Sequence, residues 1–185
     1  SYGGKGKVTI TGGTVYAYNY ANRWSIPSSA IGGAGSSAST GSEGTVEIKG
    51  GYVYAYSASG TAIGGGSSKT LQGGNATITI SGGYVVAKTG ANESASIGGG
   101  TGGTNRASDG VTPAYGGFAT VRISGNPTIR TGSIGGGKTK NTTGNIGYAD
   151  IIISGGDISG QFVLAAGANQ SPSFTMSGGV ISNSD

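Results

Sequence analysis

The chain of 185 residues contains no cysteine and no histidine. It therefore cannot assemble a Ser-His or Cys-His nucleophile pair or any of the usual zinc sites. No apolar run approaches the about 18 residues that indicate a membrane-spanning helix, and the chain has no signal-type start. These absences argue against membrane insertion, a bound zinc ion and the commonest forms of nucleophilic catalysis.

Proline and charged residues are also scarce. The chain has 4 prolines against 42 glycines, and only 10% of its residues are charged. The glycines follow no Gly-X-Y period, which excludes collagen. A glycine-rich chain could be a disordered linker, but Val and Ile recur at alternate positions and predict a buried stripe. We therefore expect a folded chain.

One short phrase, an alternating strand that ends on Gly-Gly or Gly-Asn, occurs six times. Its copies begin 23 to 43 residues apart and read VTITGG at 8–13, VEIKGG at 46–51, ITISGG at 78–83, VRISGN at 121–126, IIISGG at 151–156 and FTMSGG at 174–179. Apolar and polar residues alternate as in a half-buried strand, and the glycines let the chain turn. Such repetition is typical of a solenoid whose loops differ in length.

Two further elements recur in each repeat. A second strand follows the turn, as TVYAY at 14–18, YVYAY at 52–56, YVVAK at 84–88, TIRT at 128–131 and DIS at 157–159. A third, shorter element reads AIGG at 30–33, AIGGG at 62–66, SIGGG at 96–100 and SIGGG at 133–137, with VLAAG at 163–167 as a degenerate copy. Three short strands per coil predict an all-β fold, a parallel β-helix of about five to six coils in one domain over residues 1–185.

The period of two assigns inward residues to three faces of each coil. On the first face these are Val8, Ile10, Val46, Ile48, Ile78, Ile80, Val121, Ile123, Ile151, Ile153, Phe174 and Met176. On the second they are Val15, Val53, Val85, Ile129, Ile158 and Ile181, and on the third Ile31, Ile63, Ile97, Ile134 and Leu164. Stacked at about 4.8 Å per coil, these side chains would form one continuous core.

The outward side of the second strand is rich in tyrosine. Its outward positions on adjacent coils are Tyr16, Tyr18, Tyr52, Tyr54, Tyr56, Tyr84, Val86 and Lys88. Tyr20 and the single tryptophan, Trp24, lie in the connection that follows. Rings held in register offer flat apolar faces with a hydroxyl group, which suits stacking under a sugar ring or against a protein partner. We predict that the seven tyrosines, Trp24 and Lys88 form the binding surface.

A purely structural role for the same tyrosines is the alternative. Aromatic side chains on neighbouring strands stabilise a sheet by roughly 0.2 to 1 kcal/mol per pair, so a tyrosine ladder can hold coils together. The connection over residues 19–29 could also fold back over the rings as a lid. Exposed rings would favour binding, whereas rings buried under that connection would favour a spacer.

The sequence offers little support for an enzyme or a calcium site. Paired glycosidase carboxylates lie about 5 to 9.5 Å apart, whereas Glu47 and Asp150 would lie roughly 14 Å apart on the first face. The long segment 101–117 supplies only Asp109 as a carboxylate ligand, where calcium prefers several converging oxygens. We predict that the chain is not an enzyme and that it needs no cofactor or metal.

Nucleic acid and ice are also not expected as ligands. The net charge is +4, but the basic residues are scattered. Lys49, Lys88, Arg122 and Arg130 could form a loose stripe, but we interpret them as solvated surface charge. An ice-binding face would need one outward rank of threonines, and charged residues interrupt the rank Thr9, Glu47, Thr79, Arg122, Ile152 and Thr175.

The phrases VEIKGGYVYAYSASGTAIGGG and ITISGGYVVAKTGANESASIGGG resemble the glycine-rich β-helical repeats of large secreted or wall-anchored proteins of Gram-positive bacteria. The resemblance covers nearly the whole chain and implies a right-handed parallel β-helix on an extracellular protein. Members of that group are adhesin-like stalks, and related β-helix domains resemble carbohydrate-binding modules. No catalytic residue is carried over, because the group has no fixed site motif.

We therefore expect a non-catalytic carbohydrate-binding module, excised from a larger secreted or cell-wall-anchored protein. Its expected partner is a glycan, of host mucin or plant origin, or a host surface protein, bound by a monomer through the tyrosines. The alternative is a structural spacer or adhesin stalk with no ligand of its own.

Overall fold

The computed structural model describes residues 5–21, 27–90, 94–103, 115–139, 146–164 and 171–182. These residues form thirteen strands and no helix, which confirms the all-β class. The strands are β1 Gly6–Ile10, β2 Thr14–Asn19, β3 Ile31–Gly32, β4 Gly44–Ile48, β5 Tyr52–Ser57, β6 Ile63–Gly64, β7 Ala76–Ile80, β8 Tyr84–Thr89, β9 Ile97–Gly98, β10 Ala119–Ile123, β11 Thr128–Gly135, β12 Ala149–Val163 and β13 Ser173–Ser182.

Each strand pairs in parallel with its counterpart in the next repeat, which gives a solenoid-like arrangement. The first stack runs β1-β4-β7-β10-β12-β13 and contains the six repeated phrases. The second stack runs β2-β5-β8-β11-β12-β13, and the third runs β3-β6-β9-β11-β12. In the later repeats the separate strands merge, so that β12 contributes to all three stacks.

The alternating apolar residues form the core, as the period of two predicts. In the middle repeats the predicted inward residues are buried, and many are fully buried, including Val46, Ile48, Val53, Ile63, Ile78, Ile80, Val85, Ile97, Val121, Ile129, Ile134 and Ile151. Ala55 and Ala87 occupy inward positions between them and are also fully buried. Small and large apolar side chains thus alternate along the interior of the second stack.

Three of the predicted exposures need correction. Phe174 and Met176 are 38% and 39% exposed, because β13 pairs only with β12 among the described strands. Val86, predicted to face solvent, is only 9% exposed, because the longer Tyr54 and Arg130 flank it in register. In the third stack Phe162 is the register partner of Ile134, and Leu164 also packs against the core, as predicted.

A register shift between β11 and β12 contributes to the pairing of Ile134 with Phe162. β11 uses three residue steps from Arg130 to Ser133, whereas β12 uses two from Ser159 to Gln161. The extra residue in β11 is a bulge, which pairs Ile134 with Phe162 instead of Val163, the partner that an unshifted register would give.

The third corner of each repeat is built from glycines in direct backbone contact. Gly64 and Gly98 are register partners with φ of +141° and +146°, a conformation that L side chains rarely adopt. A Cβ atom on Gly98 would overlap the carbonyl oxygen of Gly135 in the next repeat. Only glycine therefore fits where the chain passes from the third strand into the loop.

A column of backbone hydrogen bonds continues from this corner. Each N–H donates to the carbonyl of the preceding member at 2.7 to 2.9 Å, through Ala34, Ser42, Gly66, Gly74, Gly100, Gly117, Gly137 and Gly147. Along the column, each residue that begins a loop is followed by the residue that ends the same loop. The loop segments between these ends differ in length, whereas the clamped ends keep one geometry. These segments are residues 35–41, 67–73, 101–116 and 138–146.

Gly98→Ala should destabilise the protein by about 2 kcal/mol or more, since a disfavoured backbone conformation costs roughly 1–3 kcal/mol and an overpacked side chain a similar amount. Gly12→Ala is the matched control, because a Cβ atom on Gly12 would meet nothing within 4 Å. It should change stability by less than about 0.5 kcal/mol. Urea denaturation followed by circular dichroism would measure both, and equal midpoints for the two variants would contradict the role of the glycine contact.

Candidate binding surface

The parallel register brings the predicted tyrosines together on the outer side of β2, β5 and β8. One row reads Tyr52 and Tyr84, a second Tyr16 and Tyr54, and a third Tyr18, Tyr56 and Lys88. We call these seven side chains, together with the adjacent Tyr20, the tyrosine surface. The sequence analysis predicted this grouping, and it depends only on strand alternation and on register between repeats.

The seven rings form one connected chain of contacts. Its order is Tyr84, Tyr52, Tyr16, Tyr54, Tyr18, Tyr20 and Tyr56, with neighbouring ring centroids 5.5 to 6.3 Å apart. Two pairs are stacked nearly parallel, Tyr18 with Tyr20 at 5° and Tyr52 with Tyr84 at 6°. The others are tilted by 38° to 54°. Five of the six contacts join different repeats.

Several rings of the tyrosine surface remain open to solvent. Tyr20 is 71% exposed, Tyr16 62%, Tyr18 49% and Tyr84 42%, whereas the other three are half-buried against their neighbours. Because stacked pairs cover one face of each ring, the surface offers ring edges, hydroxyl groups and the remaining free faces. The surface is therefore uneven, unlike the flat platform of ring faces that the sequence suggests.

The described ends of the 19–29 connection do not cover the tyrosines. At its start, the Asn19 side-chain amide donates to the Ser28 carbonyl at 2.6 Å and accepts from the Ala21 N–H at 2.9 Å. These bonds tie the two ends of the connection together beside Tyr20. The predicted lid is thus not observed at these ends, and Trp24 lies outside the described residues.

Two basic side chains border the tyrosine surface. Lys88 is exposed and continues the row of Tyr18 and Tyr56. Arg130 lies one strand further on, and its guanidinium donates to Asp157 Oδ2 at 2.7 Å and to the Asp157 carbonyl at 3.3 Å. The hydrogen bond from Arg130 lowers the pKa of the Asp157 carboxyl group. The sequence analysis did not identify this pair, although strand alternation places both residues outward.

Partial desolvation and the neighbouring tyrosines raise the pKa of the Tyr18 hydroxyl above its ordinary value. A raised pKa keeps the phenol protonated at neutral pH, so the hydroxyl can donate a hydrogen bond as well as accept one. Tyr18 lies within the ring chain, in contact with Tyr20 and Tyr54. Tyr18 therefore presents a neutral hydroxyl group rather than a phenolate anion.

The predicted carboxylates of the first stack do not meet. Glu47 lies on β4 and Asp150 on β12, three strands apart. Glu47 pairs with Lys49 at 3.1 Å, and Asp150 accepts a hydrogen bond from Ser173. Across the described ranges, no group of three acidic side chains could hold a metal ion. Asp109, the predicted carboxylate of the long segment, lies outside those ranges.

The loose basic stripe is split between two stacks and partly neutralised. Arg122 lies on the first stack, whereas Lys88 and Arg130 lie on the second. Lys49 and Arg130 each form an ion pair. The described basic side chains therefore do not form one continuous track.

A groove on the first stack was not anticipated from the sequence. It has a volume of about 250 Å³, with the hydroxyls of Thr45, Thr77 and Thr120 in one row and the stacked rings of Phe118 and Tyr148 at one end. Phe118 and Tyr148 occupy equivalent positions just before β10 and β12. The alignment of the repeated phrases could have placed them together, but the phrases begin three positions after them.

Asp157→Asn should remove a pH-dependent part of the stability. Because Arg130 lowers the pKa of Asp157 in the folded protein, the pair stabilises the fold above the unfolded-state pKa of about 3.9, and this contribution is lost as the pH falls through the lower folded value. The difference in urea midpoint between wild type and variant should be larger at about pH 7 than at about pH 2. Arg130→Met should behave in the same way. A difference that does not change with pH would refute this account.

No protein-family model, curated protein or solved structure matches the chain. Within the described ranges, no helix is long and apolar enough to cross a membrane. Function is therefore inferred from the tyrosine surface itself.

Proposed function

We propose that the chain is a non-catalytic carbohydrate-binding module that holds a glycan on the tyrosine surface. The observation that carries the proposal is the exposure of Tyr16, Tyr18, Tyr20 and Tyr84 on adjacent strands of one parallel ladder. Soluble proteins rarely leave a contiguous patch of large aromatic side chains open to water unless it contacts a ligand or partner. Free ring faces suit the apolar side of a sugar, and the hydroxyl groups suit its polar edge.

The scaffold is proposed to be a right-handed parallel β-helix with three short strands per coil. The three parallel stacks support this, as does the strong preference of parallel strand connections for right-handed crossovers. We further propose that residues 1–185 are one domain of a larger secreted or wall-anchored bacterial protein. The domain acts as a monomer without a cofactor, and its partner is a mucin-type or plant glycan.

Because the strands and rings are already ordered, binding a glycan costs little conformational entropy. Each tyrosine in β2, β5 or β8 has its backbone fixed by hydrogen bonds on both sides or against one neighbour, and each ring contacts at least one other ring. Ordering a flexible side chain on binding costs about 0.5–1.5 kcal/mol. A surface whose rings are already held in place avoids much of that cost.

A structural stalk is the second candidate function. The observation in its favour is that five ring contacts join different repeats and link β2, β5 and β8 across the sheet. Such a ladder stiffens the domain whether or not it binds a ligand. In that case the ring contacts would matter for stability alone.

Glycan binding is tested on an array of mucin, plant and microbial glycans. The double variant Tyr16→Ala, Tyr20→Ala removes the two most exposed rings and should lower the affinity for a bound glycan at least about tenfold, or roughly 1.4 kcal/mol. Tyr148→Ala, which removes the same side chain from the first stack, is the control and should bind as the wild type does. Circular dichroism would verify that both variants are folded. Failure of the wild type to bind any glycan would favour the stalk.

The stability of the ladder is tested separately with Tyr54. This ring contacts Tyr16 at 6.3 Å and Tyr18 at 5.5 Å, so Tyr54→Ala should destabilise the protein by about 1–3 kcal/mol. Tyr54→Phe keeps the ring and should lie within about 0.5 kcal/mol of the wild type. Urea midpoints would measure both variants. If Tyr54→Ala is as stable as Tyr54→Phe, the rings do not hold the repeats together.

A further inference from the structure

We infer that the glycan on the tyrosine surface is acidic, with a carboxylate or sulfate group held at Lys88. This inference rests on the proposed function and names the ligand class for the same surface. Its starting point is the row of Tyr18, Tyr56 and Lys88, in which a cation directly follows two tyrosines on adjacent strands. Lys88 lies two strand spacings, about 10 Å, from Tyr18.

Among the described residues, the charges on the strands of this row favour an anion. β2, β5 and β8 carry no aspartate or glutamate, so no carboxylate within these strands repels a negative ligand. The exposed Lys88 forms no ion pair with any residue of the described ranges. The nearest acidic neighbour in the second stack, Asp157, is already bound by Arg130 at 2.7 Å. Lys88 thus supplies a positive charge that no described residue neutralises through an ion pair.

The neighbouring side chains supply donors rather than competing acceptors. Arg130 and Lys88 both flank Val86, Arg130 in register with it and Lys88 two residues further along β8. Tyr84, on the other side of Val86, is 42% exposed. An anionic group above Val86 would therefore meet an ammonium group, the edge of a guanidinium group and a phenolic hydroxyl.

Charge explains why an acidic glycan should be preferred to a neutral one. Hydrogen bonds from an ammonium group to an anionic oxygen are shorter and roughly twice as strong as bonds between neutral groups. Lys88 therefore adds affinity for a carboxylate or sulfate group that an ester or hydroxyl group does not gain. The same interaction is weakened by salt, because Lys88 is exposed.

The test compares matched ligands by isothermal titration calorimetry with the whole chain. The probes are a hexuronate oligosaccharide with its methyl ester, and a sulfated oligosaccharide with its desulfated form. The wild type should bind at least one acidic member roughly three- to tenfold more tightly than its neutral counterpart. The pair that shows this preference distinguishes a carboxylate ligand from a sulfate ligand. Raising the salt from about 0.05 M to about 0.5 M should reduce the preference.

Three variants assign the preference to Lys88. Lys88→Met should abolish it by lowering the affinity for the acidic member of the pair, and Lys88→Arg should retain it. Lys7→Met is the matched control, since it removes the charge of an exposed lysine from β1 in the first stack. It should leave the preference intact, whereas an equal loss in Lys7→Met would show that only net charge matters and would overturn the inference.

Different results would contradict glycan binding itself and the preference for an acidic glycan. Equal affinity of the wild type for the acidic and neutral members of both pairs would overturn the inference and leave glycan binding in place. Absence of binding to every probe and to the glycan array would overturn both. A preference that persists in Lys88→Met would place the anion elsewhere and also refute the assignment to Lys88.

Discussion

Backbone contact between glycines at the third corner is the constraint on which the rest of the structure depends. Gly64, Gly98 and Gly135 lie against one another in successive repeats, and no side chain fits between them. The corner can therefore repeat at the same close spacing as the hydrogen-bonded strands. Because every repeat leaves this corner in the same way, the following first and second strands return to the same register. The rows of tyrosines are a consequence of that register.

The binding proposal and the stalk proposal use the same physical feature in different ways. The ring contacts that would stiffen a stalk also hold the tyrosines in fixed orientations before a ligand arrives. What separates the two is the exposed fraction of the outer rings, highest for Tyr16 and Tyr20, and the exposed cation at Lys88, which forms no ion pair with the residues that the structure describes. A sheet needs neither feature for its stability. These features therefore favour a surface that contacts something outside the protein.

Much of the fold could be predicted from strand alternation, because inward Val and Ile recur at fixed positions in each phrase. The tyrosine rows could be predicted for the same reason, since side chains two residues apart share a face. The position of Phe162 could not, because it depends on a bulge in β11 that leaves no mark on the apolar pattern. Nor could the burial of Val86, which depends on the lengths of side chains from two neighbouring strands. Ring tilts and the Arg130–Asp157 bond likewise arise from contacts between repeats.

The column of backbone hydrogen bonds has a consequence for how such a protein can change. Each loop begins and ends at a clamped residue, as between Gly100 and Gly117, so its length does not alter the distance between its ends. Lengthening a flexible loop costs only about 0.6 kcal/mol for each doubling. That edge of the domain should therefore accept foreign peptides between the clamped residues. Grafted epitopes would project from successive repeats at a spacing set by the ladder, which would make the domain a scaffold for ordered display.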